Sequence, residues 1–415
     1  MSNPTTSTNE ASKSLFSSPS FFDEFAGKRS WEPGWLADFR KENWVKAINV
    51  SSNLKDERWR FSPKARLGYS KVSGLAKSED SITFESPEQK GFVLEQLDRM
   101  ILENPNALLD LPNLAGPEMG AEESFFLAQA FSAAGFYLRI EENTRIDRPL
   151  IVNHCANGEG LARFHHNLIV LEPYSEVILI EKINSTVNDS GGFLTNLTHV
   201  EAGEGAKIQR ILIQDLNGLS SFHNLENMVV CKDAHLSNIA IHLGSAQTRV
   251  ESKGCLTEEG AEFDNFSIAL SRNEQLFDQR TMQHHLAPNG KSNLTFKNAL
   301  LDKSKCIFSG LIKVENDAQI TNAYQTNRNL LLSDDAQADS MPGLEILANE
   351  VKCSHGATTS KIDEQELFYL LSRGIPRSVA ERLIVLGFFE EVIERISEES
   401  QLDMAREAIA QSFEN

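Results

Sequence analysis

The sequence predicts a mainly β protein built around a β-solenoid core, with a helical region on either side. Three observations carry that prediction. From Phe136 the apolar period changes to two, with Phe136, Leu138 and Ile140 alternating, and a β-rich stretch lasts to about residue 350. Within it, Gly, Asn, Asp and Ser clusters recur near residues 172, 189, 203, 217, 232, 244, 258, 272, 289, 302, 316 and 334, mostly at intervals of about 14. Under that spacing lies a repeated small–polar–apolar triplet: Ala206-Lys207-Ile208, Ala234-His235-Leu236, Ala261-Glu262-Phe263, Ser304-Lys305-Cys306 and Ala318-Gln319-Ile320. A short strand buries one face only against its neighbours, so stacked units of this kind build a continuous interior while their turns stay wet. A meander or jelly roll gives short strands at the same pitch, and periodicity alone does not choose among them.

The flanks follow in order. Residues 1–20 are polar and read as a loose tail with no export signal. Residues 21–135 read as a helical region. Trp31, Trp35, Trp44 and Trp59 suggest a small core of their own, and Pro33 opens a helix running to about Ile48. Ser86 as N-cap, Pro87 and Gln89 predict a second helix with Val93, Leu97, Met100 and Ile101 on one face. A third is expected over Glu122 to Ala134, ending at Gly135, with Phe125 and Phe126 as core. The core is placed at 136–350 and a helical domain at 351–415. There Asp363 caps a helix with Glu366 three residues later and the stripe Leu367, Leu370, Leu371; Gly374 closes it, and Pro376 opens another to about Ile396. Such a hairpin caps a solenoid or docks a partner. The Glu-rich end reads as a solvated face.

Composition excludes several functions. Forty Lys and Arg against 59 Asp and Glu leave −19, which repels nucleic acid and anionic membranes. The five cysteines (155, 231, 255, 306, 353) form no CxxC pair and point to a reducing compartment, with cytoplasm the default. The late apolar run Leu383 to Phe389 is bracketed by charge and far too short to span a bilayer.

Motif inspection narrows the chemistry further. Gly290-Lys291-Ser292 ends like a phosphate-binding loop, but His285 stands where its first glycine belongs, so no bound nucleotide is expected. Gly203 and Gly205 are followed by Ile208 at the third glycine's place, and no HExxH or GxSxG is present. His165-His166 and His284-His285, like His154-Cys155, are strand neighbours that point to opposite faces. Cys231, Cys255 and Cys306 read as small apolar residues. The segment Val351 to Thr359 differs. If extended, it puts Cys353 and His355 on one face about 6.5 to 7 Å apart, beside Gly356. Thiol and imidazole suit iron, copper or zinc. Two ligands are not a closed site, so a buried pair and a half-site completed by another chain both remain open.

Longer motifs then point to a family. Pro342-Gly343-Leu344-Glu345-Ile346, KCSHGATTSKID (352–363) and ELFYLLSRGIPRSVAERLIVLGFFEEVI (366–393) resemble the C-terminal half of the SufB/SufD family, scaffold subunits of the SUF iron–sulfur cluster assembly machinery. Glu57-Arg58-Trp59-Arg60-Phe61-Ser62 is similar to a segment of the SufD branch, as is the Cys-Ser-His-Gly context of His355. The resemblance implies a right-handed parallel β-helix and a non-catalytic role beside a SufB-like scaffold and a SufC-like ABC ATPase. ATP turnover in that partner would shift the scaffold between two states. It also implies that His355 lies near the SufB-like partner and serves a transient iron–sulfur cluster or iron at the subunit interface. The C-terminal helices, with Leu367, Leu370, Leu371, Arg373 and Gly374, would dock the ATPase. Cys353 is added to the candidate metal ligands from geometry alone. The long polar tail departs from the family pattern. Two other classes stay open: a β-helix carbohydrate-active enzyme using paired carboxylates, against which the aromatics cluster outside the repeat, and a metal-free homodimeric adaptor.

Overall fold

The computed structural model describes residues 14–50, 56–62, 69–77, 82–156 and 158–413. Two sheets of ten and nine strands face each other, and the chain alternates between them, so each turn of the solenoid contributes one strand to each sheet. From the strand Leu161–Leu171 onward, all neighbours in both sheets are parallel. Leu276, for example, pairs with Gln247 on one side and Lys305 on the other. The spacing of about 14 residues is therefore half a turn, and the mainly β solenoid expected from it is what the chain forms.

The triplet has a simple geometry. Its small residue closes the turn with no room for more: Ala206, Ala234, Ala261, Ser304 and Ala318 are fully buried. The polar residue points out, and Ile208, Leu236, Phe263 and Cys306 point into the bore. Ile320 departs from this. It takes a left-handed φ of 61° and is 60% exposed, because the turn before Thr321 is longer and the strand starts two residues later than in the other triplets. Stacked positions form apolar ladders such as Val177, Ile208, Leu236 and Phe263. Each fully buried side chain of this size contributes about 1.5–3 kcal/mol. Between the ladders runs a polar vein, in which Asn167, Asn196 and Asn224 hydrogen-bond in series.

The N-terminal region departs from expectation in three ways. Residues 1–13 of the tail lie outside the described residues, but the chain is ordered from Ser14. A 3-10 turn spans Leu15–Ser17 and α1 spans Pro19–Gly27, because Phe16 (1% exposed) anchors an aromatic cluster with Tyr69, Phe131 and Phe164. The tryptophans form no core of their own. Trp44 stacks on Phe22, Trp59 lies under Arg249 and Trp31 is exposed, and α2 (Gly34–Ile48) packs chiefly against the helix Glu122–Phe131, which lies on the outer face of the ten-stranded sheet. The helix expected from Ser86 is absent: Phe92–Gln96 is a strand antiparallel to Phe136–Ile140, followed only by the short α3 (Leu97–Glu103). Pairing with a waiting edge outweighs a local capping signal. The next helix, α4 (Glu122–Phe131), lies as expected, with Phe125 buried. Gly135 has φ 141°, and any Cβ there would meet the His166 carbonyl oxygen at 1.9 Å.

The strand Val351–Lys361 belongs to the nine-stranded sheet, so the solenoid continues past residue 350. Three helices follow: α5 (Glu364–Ser372), α6 (Arg377–Ile393) and the unanticipated α7 (Glu399–Ser412). Asp363 caps α5 by accepting from the N–H groups of Gln365 and Glu366. Val385, Phe389, Val392 and Ile393 of α6, with Ala405 and Ile409 of α7, cover Ile211, Ile239, Phe266 and Ile268 on the sheet's outer face. What reads as a solvated Glu-rich end is half core.

Candidate functional site

The two ends of the solenoid differ. The N-terminal end is closed by the antiparallel strands Ile82–Glu85 and Phe92–Gln96, with Phe84, Phe92 and Leu94 packed on the core. Among the described residues the C-terminal end has no such lid. Its last strands, Gln337–Ile346 and Val351–Lys361, are half to fully exposed along their length, unlike the strands beneath them. Leu344 and Ile346 remain 38% and 37% exposed although they stack on the buried Ile312 and Val314.

Cys353 and His355 lie on this open end. The register puts Cys353 over Ala323 and His355 over Gln325, both buried, so the two side chains share the inward row of the terminal strand. His355 is exposed, while Gln325 beneath it keeps Oε1 without a hydrogen-bond partner. Cys353 packs with Val351 against Ile312, Val314 and Ala323. Burial pushes its thiol up, against a hydrogen bond from the Ala323 backbone. The imidazole is the more exposed of the two side chains. Among the described residues, no three His, Cys, Asp or Glu side chains converge as a metal site.

The second predicted feature is the hairpin of α5 and α6. Leu367 is 1% exposed and packs with Ile362 and Ala380, with Leu370 against them. Leu367 thus builds the hairpin rather than presenting a contact. The surface is made by residues the amphipathic stripe did not single out, Phe368 (71% exposed) and Tyr369 (56%), together with Leu371. Arg373 stacks over the Tyr369 ring at 5.0 Å, and Gly374, at φ 82°, makes the tight turn into α6.

The other ionisable groups serve the fold. His165 faces the bore, Nδ1 to Nδ1 3.1 Å from His154, whereas His166 meets His199 on the outer face. His284 bonds Glu315, and His285 bonds Ser292. Glu181 and Glu226 are both held by Arg210, at 2.5 Å each, and His154 lies 3.1 Å from Glu181. Burial alone would raise the Glu181 carboxyl, but the Arg210 charge and the His154 contact overcome it and lower it to about 2. No local pattern signals this cluster, because its members meet only through strand register. These carboxylates are sealed in the bore and matched by an arginine, which speaks against a glycosidase-like pair.

A family model described as the SUF system FeS cluster assembly SufBD core domain matches residues 154–388. The chain belongs to the SufBD family. The matched span begins in the first turns of the solenoid and ends in α6, so the family's core domain is the helix-flanked stack itself. The chain is 29% identical over 370 residues to the iron-sulfur cluster assembly protein SufD of Escherichia coli, covering 83% of this chain and 85% of that protein. It is 28% identical over 353 residues to the SufBD family protein Rv1462 of Mycobacterium tuberculosis, covering 83% and 84%. The SufD of Bacillus subtilis matches at 28% over 271 residues, 65% and 62% of the two chains. Among the described residues no helix is long and apolar enough to cross a membrane.

Proposed function

We infer that this SufBD protein is a non-catalytic, SufD-like scaffold that pairs with a SufB-like subunit through its open solenoid end. At that seam it presents His355 to iron or a nascent iron–sulfur cluster, carried as cargo. The observation behind this reading is the contrast between a closed end and an open one. Two long, flat, exposed edge strands invite strand pairing by another chain, and proteins ordinarily blunt such edges. An imidazole there ligates iron yet releases it more readily than a full set of thiolates would. Five free cysteines suit a reducing cytoplasm.

The ATPase is assigned to α5, around Phe368, Tyr369 and Leu371, where aromatic side chains stand out over a rigid hairpin. Co-expression with SufB-like and SufC-like partners, read by native mass spectrometry, tests both contacts. Phe368→Asp is expected to leave the fold and the scaffold pair intact and to weaken ATPase retention at least about ten-fold. Leu367→Asp, in the hairpin core, should instead destabilise the C-terminal domain. A wild-type chain that retains neither partner refutes the reading.

A further inference from the structure

Gln325 lies one strand beneath His355 in the same inward row. The register fixes that row, in which Leu294, Gln325 and His355 follow one another across three parallel strands. Neighbouring strands stand about 4.8 Å apart, so an amide and an imidazole side by side in one row lie within hydrogen-bond reach of each other. The Gln325 side chain is fully buried. Its Nε2 donates to the Gly310 carbonyl oxygen at 3.4 Å, while its Oε1 accepts from no described group. Gly310 makes the room for this amide, because a Cβ there would stand 2.6 Å from Oε1 and 2.7 Å from Nε2. Buried polar atoms are ordinarily partnered, so the surroundings of Oε1 decide what answers it.

Those surroundings point upward. Below, Leu294 packs with Phe296 and Phe308 and offers no donor. Across the bore, Pro342 stacks on Gly310 and carries none either. Thr281, on the other side of Gly310, also keeps its Oγ1 without a partner, so hydroxyl and amide do not meet. Along the strand, Ala323 is apolar, and Asn327 sends its Nδ2 to the Phe296 carbonyl oxygen. Gln283 Nε2 is taken by Ser292 Oγ and the Tyr324 carbonyl oxygen. Above, the row neighbour is His355, exposed and with a ring N–H to give. An imidazole that ligates a metal through one nitrogen ordinarily donates the N–H of the other to an oxygen, which sets tautomer and ring orientation together.

We propose that Gln325 is a positioning residue for His355: its Oε1 accepts one imidazole N–H, fixes the tautomer and leaves the lone pair of the other ring nitrogen turned to the seam. This rests on the reading of His355 as an iron donor. Heteronuclear NMR of the histidine ring nitrogens in the full chain, with His355→Ala for assignment, tests the contact without metal or partner. The neutral ring is expected to show one protonated and one bare nitrogen, well separated. In Gln325→Leu the two signals should move toward each other as the tautomers mix. Averaged signals in the native chain, or signals unchanged in Gln325→Leu, overturn the proposal. In the assembled complex, Gln325→Leu should keep the subunit composition and lower the chelator concentration that strips iron about ten-fold. Gln325→Glu, which keeps an oxygen at that place, should hold iron as the native chain does. Equal iron loss in both variants, or loss in neither, also overturns it. The two readings fail separately. Averaged tautomers sink the hydrogen bond even where His355→Ala loses iron. Unchanged iron in His355→Ala sinks the seam reading, and the positioning role with it, even where the ring signals show the contact.

Discussion

Arg210→Met is expected to destabilise the protein by about 3–5 kcal/mol at pH 7, because it leaves Glu181 and Glu226 facing each other in the bore without their cation. All three side chains are at most 1% exposed, so water does not soften the loss. The pH dependence has a definite sign. In the native protein the Glu181 carboxyl sits at about 2, below its unfolded value of 4.5, so it contributes stability above pH 4.5 that is lost as pH falls toward 2. In the variant the uncompensated carboxylates are pushed up instead, so their penalty is relieved as pH falls. Denaturant melts at pH 7 and pH 5 should show the gap between variant and native protein narrowing. Combining Arg210→Met with Glu181→Gln and Glu226→Gln should recover most of the loss, since removing a whole buried ion cluster costs far less than breaking it. A gap that widens on acidification would show that the three side chains do not act as one unit.

His355→Ala is expected to leave the composition of the scaffold–ATPase complex unchanged and to lower its iron and sulfide content about ten-fold. The imidazole is exposed on the inward row of the terminal strand, so removing it opens no cavity. Cys353→Ser makes the useful comparison. Its thiol is half-buried among apolar neighbours and held protonated, so the same assay should change less than about two-fold. Equal loss in both variants would make the pair a joint ligand set. Unchanged iron and sulfide in the His355 variant would remove that residue from the site.

The repeat was legible because it is local. Turn residues and the buried small residue after them follow from backbone geometry within a few positions, and they recur whichever neighbour sits alongside. Asp363, Gly374 and Pro376 punctuate the C-terminal hairpin for the same reason. Cys353 and His355 could be assigned to one face because the period of a strand is two. Where the reading failed, the deciding partner was remote. Phe92–Gln96 became a strand because Phe136–Ile140 offered an edge, and Phe16 was ordered by Phe164, far along the chain. Leu367, taken as a docking residue from its stripe, is core because Ile362 and Ala380 close over it, which leaves Phe368 and Tyr369 outside.

By itself, then, the chain's residue pattern determined that short strands stack, that helices flank them, and that a thiol and an imidazole share a strand face. Only the tertiary structure decided that, among the described residues, this face lies on the uncapped end of the stack, and that Glu181, Arg210 and Glu226 meet in its bore. The physical reason is that turn and strand preferences act over a few bonds. Which end is covered, and which charges meet, depends on register summed over many turns.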